Sequence, residues 1–395
     1  MRGSDWNKLT ILTAVLRTDE SMIPIPRHVL TLEPYQAGKS IGELADEKKL
    51  GRIVKLASNE NPLGPSPKAV AALNRATGEL HRYVDCRATE LTTAIARRTG
   101  REPSQIVCAH GADALLGYVI NAFTSERDEV LTSDGSFIGI YVNTNKLGRK
   151  LRLIPLKNYG LDLDAMTDSI SNDTRIIYLA NPNNPTGTMF SADRFEAFMD
   201  RVPREVLVIL DEAYDVYAAE QDGYPDSLRY HNENLLVVRS LSKIYGLAGL
   251  RIGFAIGPER LVEALYKVRL PFEPNLLAQV AASAALNDDE FLRRTIQTNR
   301  QSLARFTSCF DDLGIRYITT VANFVLLLMP TEEMADWFFK RCLDRGLIVR
   351  PTKRFGIANG IRISSGTEDE TAFAVNVIEQ VWADIAKTTS ANTSS

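Results

Sequence analysis

Leu235-Leu236-Val237-Val238-Arg239-Ser240-Leu241-Ser242-Lys243-Ile244-Tyr245-Gly246-Leu247-Ala248-Gly249-Leu250-Arg251 is the stretch that decides what this chain folds into. An apolar, β-branched segment suited to a buried strand runs into serines and one lysine, then glycines and an arginine. A lysine amine forms an imine with an aldehyde, hydroxyls hydrogen-bond a phosphate, and a planar guanidinium clamps phosphate oxygens in bidentate fashion. Together these groups suit a covalently held, phosphorylated aldehyde such as pyridoxal phosphate, with Lys243 as the Schiff-base lysine. A lysine opening an ordinary surface loop has the same local sequence, so the surrounding elements have to discriminate.

Working outward, short apolar runs alternate with helical stretches from Ile106 to Ile256, the pattern of an α/β fold with a mainly parallel sheet sandwiched by helices. The expected strands are Ile106–Ala109, Glu129–Thr132, Leu151–Pro155, Arg175–Ala180, Val206–Leu210, Leu235–Ser240 and Ile252–Ile256, a seven-stranded sheet. Ser66-Pro67 reads as a helix start, with a capping serine before proline at the first helical position. After Asn275 the pattern changes to one or two helices over Asp288–Leu313, strands Phe324–Met329, Leu347–Arg350 and Gly360–Ser364, and helices Met334–Arg345 and Glu368–Ala386. The expected organisation is a leader or arm over 1–33, a small α+β domain from 34–62 and 275–386, a large domain over 63–274, and a frayed tail over 387–395.

Ligands of open α/β sheets bind beyond the carboxyl ends of the strands, and there the polar residues of this chain collect. Asp211 ends one apolar run and could face a pyridinium nitrogen, although a helix cap or a core ion pair would also use it. Asn184 and Tyr214 are suitable donors to a ring hydroxyl, although Asn184 also lies in a strong turn signal and Tyr214 could be a packing tyrosine. His110-Gly111-Ala112-Asp113 follows a strand and opens a helix, whose free N–H groups and dipole favour an anion, although Asp113 could simply cap that helix. Arg350, Lys353, Arg354 and Arg362 gather near two short strands and suit an anionic substrate group or, for Lys353 and Arg354, an ordinary cationic surface.

Composition narrows the classes. With 46 Lys and Arg against 49 Asp and Glu, and no long basic block, neither nucleic acid nor an anionic membrane is an expected partner. The four cysteines form no CxxC pair and the four histidines no zinc spacing, which points to reduced thiols in the cytoplasm and to no metal. Leu9–Leu16 is broken by Thr10 and Thr13 and lacks the cleavage pattern of a secretory signal, and no segment is long enough to span a bilayer.

The ordered set Asn181-Pro182-Asn183-Asn184-Pro185-Thr186-Gly187, Asp211-Glu212-Ala213-Tyr214, Ser240-Leu241-Ser242-Lys243 and Gly246-Leu247-Ala248-Gly249-Leu250-Arg251 is far more specific than its parts. With Glu33-Pro34-Tyr35-Gln36, Lys55-Leu56-Ala57-Ser58-Asn59-Glu60-Asn61-Pro62, Arg82-Tyr83, Val268-Arg269-Leu270-Pro271-Phe272 and Ile361-Arg362-Ile363-Ser364, the chain closely resembles the fold type I pyridoxal-phosphate-dependent aminotransferases. Within them it is most similar to the histidinol-phosphate aminotransferase group, over nearly everything from Pro34 to Asp384. The resemblance implies that Lys243 holds the cofactor and shuttles the proton, Asp211 partners the pyridinium, and Asn184 and Tyr214 contact the ring oxygen. It further implies phosphate contacts from Ser240, Ser242, Arg251 and the backbone of Ala112 and Asp113, ring stacking by Phe137, and Tyr83 reaching the phosphate across a homodimer interface. Tyr35, Asn61, Arg350 and Arg362 would face the substrate.

Several positions depart from the family pattern: Ala114 where an acid often stands, Ser136 before the stacking aromatic, Val84 after the arginine-tyrosine pair, and the extra cations Lys353 and Arg354. They leave the amino donor open between histidinol phosphate and an aromatic or other amino acid, with a 2-oxo acid such as 2-oxoglutarate as acceptor. The same motifs would also serve a decarboxylase, cyclase or oxidase on this scaffold, because the bond broken depends on substrate orientation. A non-catalytic binding protein is the third reading.

Overall fold

Strand β1 (Val54–Lys55) leads into a central sheet of β2 (Ile106–Ala109), β3 (Glu129–Ser133), β4 (Lys150–Ile154), β5 (Thr174–Ala180), β6 (Leu207–Asp211), β7 (Leu235–Ser240) and β8 (Gly253–Ile256). These are the seven strands expected from the sequence, with ends moved by a residue at most. The order is β2-β8-β7-β6-β5-β3-β4, and β8 alone runs against its neighbours. All the other strands therefore end on one edge of the sheet. The computed structural model from which this architecture is drawn describes residues 23–33 and 39–392, and side chains through 384.

Both faces of the sheet are buried, which is why its strands read as continuous apolar runs. Side chains alternate between the faces. Along β5, Ile177 and Leu179 enter one core while Ile176, Tyr178 and Ala180 enter the other. Helices Thr89–Thr99, Ala192–Arg201 and Leu276–Ala285 cover the first face through Leu91, Ile95, Phe195, Phe198 and Ala281. Helices Ala112–Phe123 and Glu259–Val268 cover the second through Leu116, Ile120, Leu261 and Leu265. Each such fully buried Leu or Ile contributes roughly 1.5–3 kcal/mol.

The C-terminal part builds a separate antiparallel sheet. Its strands are β9 (Tyr317–Ile318), β10 (Phe324–Leu328), β12 (Arg350–Pro351) and β13 (Gly360–Ser364), in the order β12-β13-β10-β9, while β11 (Leu347–Ile348) pairs in parallel with β1. The single strand expected over Leu347–Arg350 is therefore two strands in two different sheets, joined by the buried Val349. Periodicity over four apolar residues does not reveal a change of partner. Asp288–Leu313 resolves to one 25-residue helix, Asp289–Leu313, capped by the Asp288 side chain and closed by Gly314 in the left-handed region. Ser66 caps helix Pro67–Ala76 as expected. The closing helix runs Glu368–Asn392, so residues 387–392 of the expected frayed tail continue it. Helix Ile41–Lys48 carries a Ser40/Glu43 capping box that the sequence reading passed over.

The described residues 39–392 belong to one compact unit, and 23–33 to another. The latter holds a short helix, Arg27–Leu30, closed by Thr31, whose hydroxyl donates to the His28 carbonyl. Tyr35 lies outside the described residues.

Candidate active site

Strands β5, β6 and β7 end side by side and deliver Asn181–Gly187, Asp211–Tyr214 and Ser240–Lys243 to one rim. Asp211 sits on the same face as Tyr178, two consequences of the alternation described above, and is 5% exposed. Its Oδ2 accepts from the Tyr178 hydroxyl at 2.8 Å and its Oδ1 from the Ala213 N–H at 3.0 Å. Burial still dominates and pushes the carboxyl up to about 6. A cation set against it restores the ionised form, as a pyridinium nitrogen would.

Lys243 is half-buried, and its Nζ donates to the Ser58 carbonyl at 3.0 Å. Burial, then the positive charge of Arg362, bring the amine down to about 8 against the upward pull of Glu60, with a smaller downward push from Arg251. A lysine tuned that far holds a sizeable neutral fraction near neutrality, which is what attack on an aldehyde requires.

The expected phosphate cup is built around two glycines. Gly111 (φ +87°) precedes helix Ala112–Phe123, whose first N–H groups have no intrahelical carbonyl to bind. A Cβ on Gly111 would stand 3.1 Å from Arg251 Nη2, and one on Gly253 only 2.6 Å from the Ala112 nitrogen. The guanidinium thus reaches the helix start, and β8 passes close beneath it. Ser240 and Ser242 adjoin in the same turn, the Ser242 N–H donating to the Ser240 hydroxyl at 3.2 Å. Phe137 belongs to this corner, since its ring and Asp113 Oδ1 both crowd the position of Gly139. Asp113 is held in turn by the Asn143 amide at 3.0 Å. The donor set, an arginine fork, two hydroxyls and helix N–H groups beside a lysine and a buried carboxylate, fits pyridoxal phosphate.

On the other side of the lysine stands Arg362, 4% exposed in β13. It donates to Asn184 Oδ1 and, at 2.8 Å, to the Ala57 carbonyl, and lies over the rings of Phe324 and Phe355. Arg350 faces Arg362 across the β12–β13 ladder and shares the Phe355 ring. Tyr214 is buried and accepts a hydrogen bond from Asn59 Nδ2 at 2.8 Å. Asn61 is spent on structure: its amide nitrogen donates to the Ile244 carbonyl and to Thr295, and its oxygen accepts from the Leu63 N–H. It therefore steadies the turn after Lys243. Lys353 is paired with Glu332, and Tyr83 is 84% exposed with its ring stacked 4.3 Å from that of Phe272.

Residues that the sequence reading missed are Tyr178, Asn59, Phe355 and the ion cluster Glu212–Arg239–Asp215. For Tyr178 a lone phenol inside an apolar strand was the available signal. For Glu212 and Arg239 it was a charge at the end of each of two neighbouring buried strands. Glu212 Oε2 accepts from Arg239 Nη2 at 2.8 Å and from the Ser227 hydroxyl at 2.7 Å, and Asp215 lies 3.1 Å from Arg239 Nη1. This cluster clasps the loop after β6 to the end of β7.

Residues 51–378 match the model of the family "Aminotransferase class I and II". The chain is a class I and II aminotransferase. This aminotransferase is 42% identical over 352 residues to histidinol-phosphate aminotransferase 1 of Nitrosococcus oceani, covering 89% of the chain and 94% of that relative. It is 41% identical over 343 residues to histidinol-phosphate aminotransferase 2 of Pasteurella multocida, covering 87% and 93%. The crystal structure of histidinol-phosphate aminotransferase from Sinorhizobium meliloti in complex with pyridoxal-5'-phosphate superposes with a TM-score of 0.84 at 26% identity, over 93% of this chain and all of that one. The aminotransferase is accordingly a fold type I enzyme with pyridoxal phosphate as cofactor. Among the described residues no helix is long and apolar enough to cross a membrane, and no group of side chains has the makings of a metal site.

Proposed function

We propose that this aminotransferase takes an amino group from histidinol phosphate and passes it to a 2-oxo acid such as 2-oxoglutarate. The observation that carries the donor is the pair Arg350 and Arg362, which face each other across a strand ladder and both lie over the Phe355 ring, Arg362 being bonded to Asn184 as well. Two guanidiniums so close suit one doubly charged group. The names of the relatives support the same donor. An aromatic amino acid is the second reading, favoured by the apolar Phe355 and Phe324 rings beside the cations.

When bound, pyridoxal phosphate supplies the aldehyde that accepts the amino group and the protonated ring that withdraws electrons. The chain's own residues do the rest. Lys243 takes the covalent bond and moves the proton with its Nζ, Asp211 keeps the ring nitrogen protonated, and Asn184 and Tyr214 hold the ring oxygen. Ser240, Ser242, Arg251 and the N–H groups of Ala112 and Asp113 hold the phosphate, and Phe137 lies against the ring. Tyr35 joins the arginines at the substrate, with Asn61 in support through the turn after Lys243.

The functional unit in this reading is a homodimer, with Tyr83 of each subunit completing the site of the other; its exposure beside Phe272, Leu270 and Leu80, themselves exposed, supports that. The seven-stranded sheet and the β9–β10–β12–β13 sheet serve as the cores of the large and small domains. Four free cysteines, three of them buried, suit the cytoplasm.

A donor screen tests the proposal. Glutamate formed from 2-oxoglutarate with histidinol phosphate, and far less with phenylalanine, tyrosine or basic amino acids, is the expected result. Carbon dioxide or ammonia release, or oxygen consumption, without glutamate would replace transamination by another reaction.

A further inference from the structure

Ala57, Ser58 and Asn59 are consecutive, and each touches a different working residue. The Ala57 carbonyl accepts from Arg362, the Ser58 carbonyl from Lys243, and the Asn59 amide donates to Tyr214. Asn59 is 1% exposed and adopts φ +54°, a conformation that costs a non-glycine residue energy and that asparagine tolerates best. Its amide is held at both ends. The Asn59 backbone N–H donates to the Ser364 hydroxyl at 2.9 Å, and that hydroxyl donates to Asn59 Oδ1, also at 2.9 Å. Nδ2 is left facing Tyr214.

We infer that Asn59 is a positioning residue that makes the Tyr214 hydroxyl an obligatory donor toward the cofactor's ring oxygen and ties it to the strand that carries Arg362. This rests on the reading of Tyr214 given above. By occupying the phenol oxygen from behind, the Asn59 amide leaves Tyr214 its proton to give forward. Ser364 lies two residues beyond Arg362 in β13, so a pull on the arginine by a substrate anion reaches Tyr214 through two hydrogen bonds. The charged groups acting on Tyr214 are Arg362, which favours ionisation, and Asp211, which opposes it.

The test is a pH titration of the visible absorbance of the cofactor-loaded enzyme, in Asn59→Gly, Asn59→Asp, Tyr214→Phe and the Asn59→Gly/Tyr214→Phe double variant. Glycine keeps the backbone conformation and removes the amide; aspartate keeps the size and the bond from Ser364 but accepts where asparagine donated. A donor on the ring oxygen stabilises the deprotonated chromophore, so losing it raises the apparent pKa. Shifts of about one unit upward are expected for Tyr214→Phe and somewhat less for Asn59→Gly. Asn59→Asp should shift it at least as far as glycine, and the double variant no further than Tyr214→Phe. An Asn59→Asp enzyme titrating like the parent, or additive shifts in the double variant, overturns the inference while the Tyr214 reading stands. No shift in Tyr214→Phe overturns both. Cofactor affinity of the apo-proteins, measured by fluorescence quenching, should weaken in the same order.

Discussion

Arg350 and Arg362 are direct partners on adjacent antiparallel strands, two like charges in register with the Phe355 ring serving both. Like charges facing across a ladder destabilise a sheet, and the stacking on Phe355 together with the bonds of Arg362 to Asn184 and Ala57 offsets that cost. Replacing Arg350 by glutamine should lower kcat/KM for an anionic donor about 10- to 100-fold, mostly through KM. Absorbance titration with pyridoxal phosphate should show unchanged cofactor affinity, and the melting temperature should not fall.

Asp211 gives a stability prediction with a definite sign. Its carboxyl is raised from 3.8 to about 6 in the folded, cofactor-free protein, so the folded state binds this proton more tightly than the unfolded state does. Its contribution is favourable at low pH and is lost as pH rises from about 4 to about 6, leaving a penalty of about 3 kcal/mol at pH 7. Asp211→Asn should therefore stabilise the apo-protein at pH 7 and not at pH 4, while abolishing most turnover. Urea denaturation at the two pH values checks the first part, and steady-state assays the second.

Lys243 predicts the pH dependence of cofactor capture. Only the neutral amine attacks an aldehyde, and this amine is held at about 8. The rate of absorbance change on mixing apo-protein with pyridoxal phosphate should climb with pH and level off above about 8. Arg362→Gln removes one of the charges that lowers the lysine and should move that midpoint upward.

The buried cluster behind Asp211 is expected to be a fold determinant. Arg239→Met leaves Glu212 buried without its cation, which costs about 3–5 kcal/mol by denaturant titration. Adding Glu212→Gln should recover part of that loss, because the orphaned charge goes with it.

Subunit exchange tests Tyr83. Homodimers of Tyr83→Phe and of Lys243→Ala should each be impaired. A hybrid of the two has one site with both defects and one with neither, so mixing the subunits should restore up to about half of one parent site's activity per dimer. No recovery after verified exchange would remove Tyr83 from the partner's site.

Much of the cofactor side was legible in the sequence because each of its residues follows an apolar strand, and strands buried on both faces announce themselves. Asp211, Ser240 and Lys243 stand at or just past such strand ends. The second sheet was harder. Its strands β9 and β12, like β11 beside β1, are two residues long, too short for any period, and the division of Leu347–Pro351 between two sheets depends on partners far away in the chain. Asn59 was invisible for another reason: nothing in Ser58-Asn59-Glu60 announces a left-handed backbone, and its three side-chain and backbone partners, Tyr214, Ser364 and Asn323, lie more than a hundred residues away. The spending of Asn61 on Ile244 and Thr295 was hidden for the same reason.

Val349 is a joint with no slack. The chain leaves β11 at Ile348 and enters β12 at Arg350, with one buried residue to change sheets. An insertion or deletion at that point would displace Arg350 from its partner or pull β11 off β1, upstream of Ala57, Ser58 and Asn59. Anyone re-engineering the enzyme for a new amino donor should accordingly vary side chains along β12 and β13 and keep the loop lengths fixed.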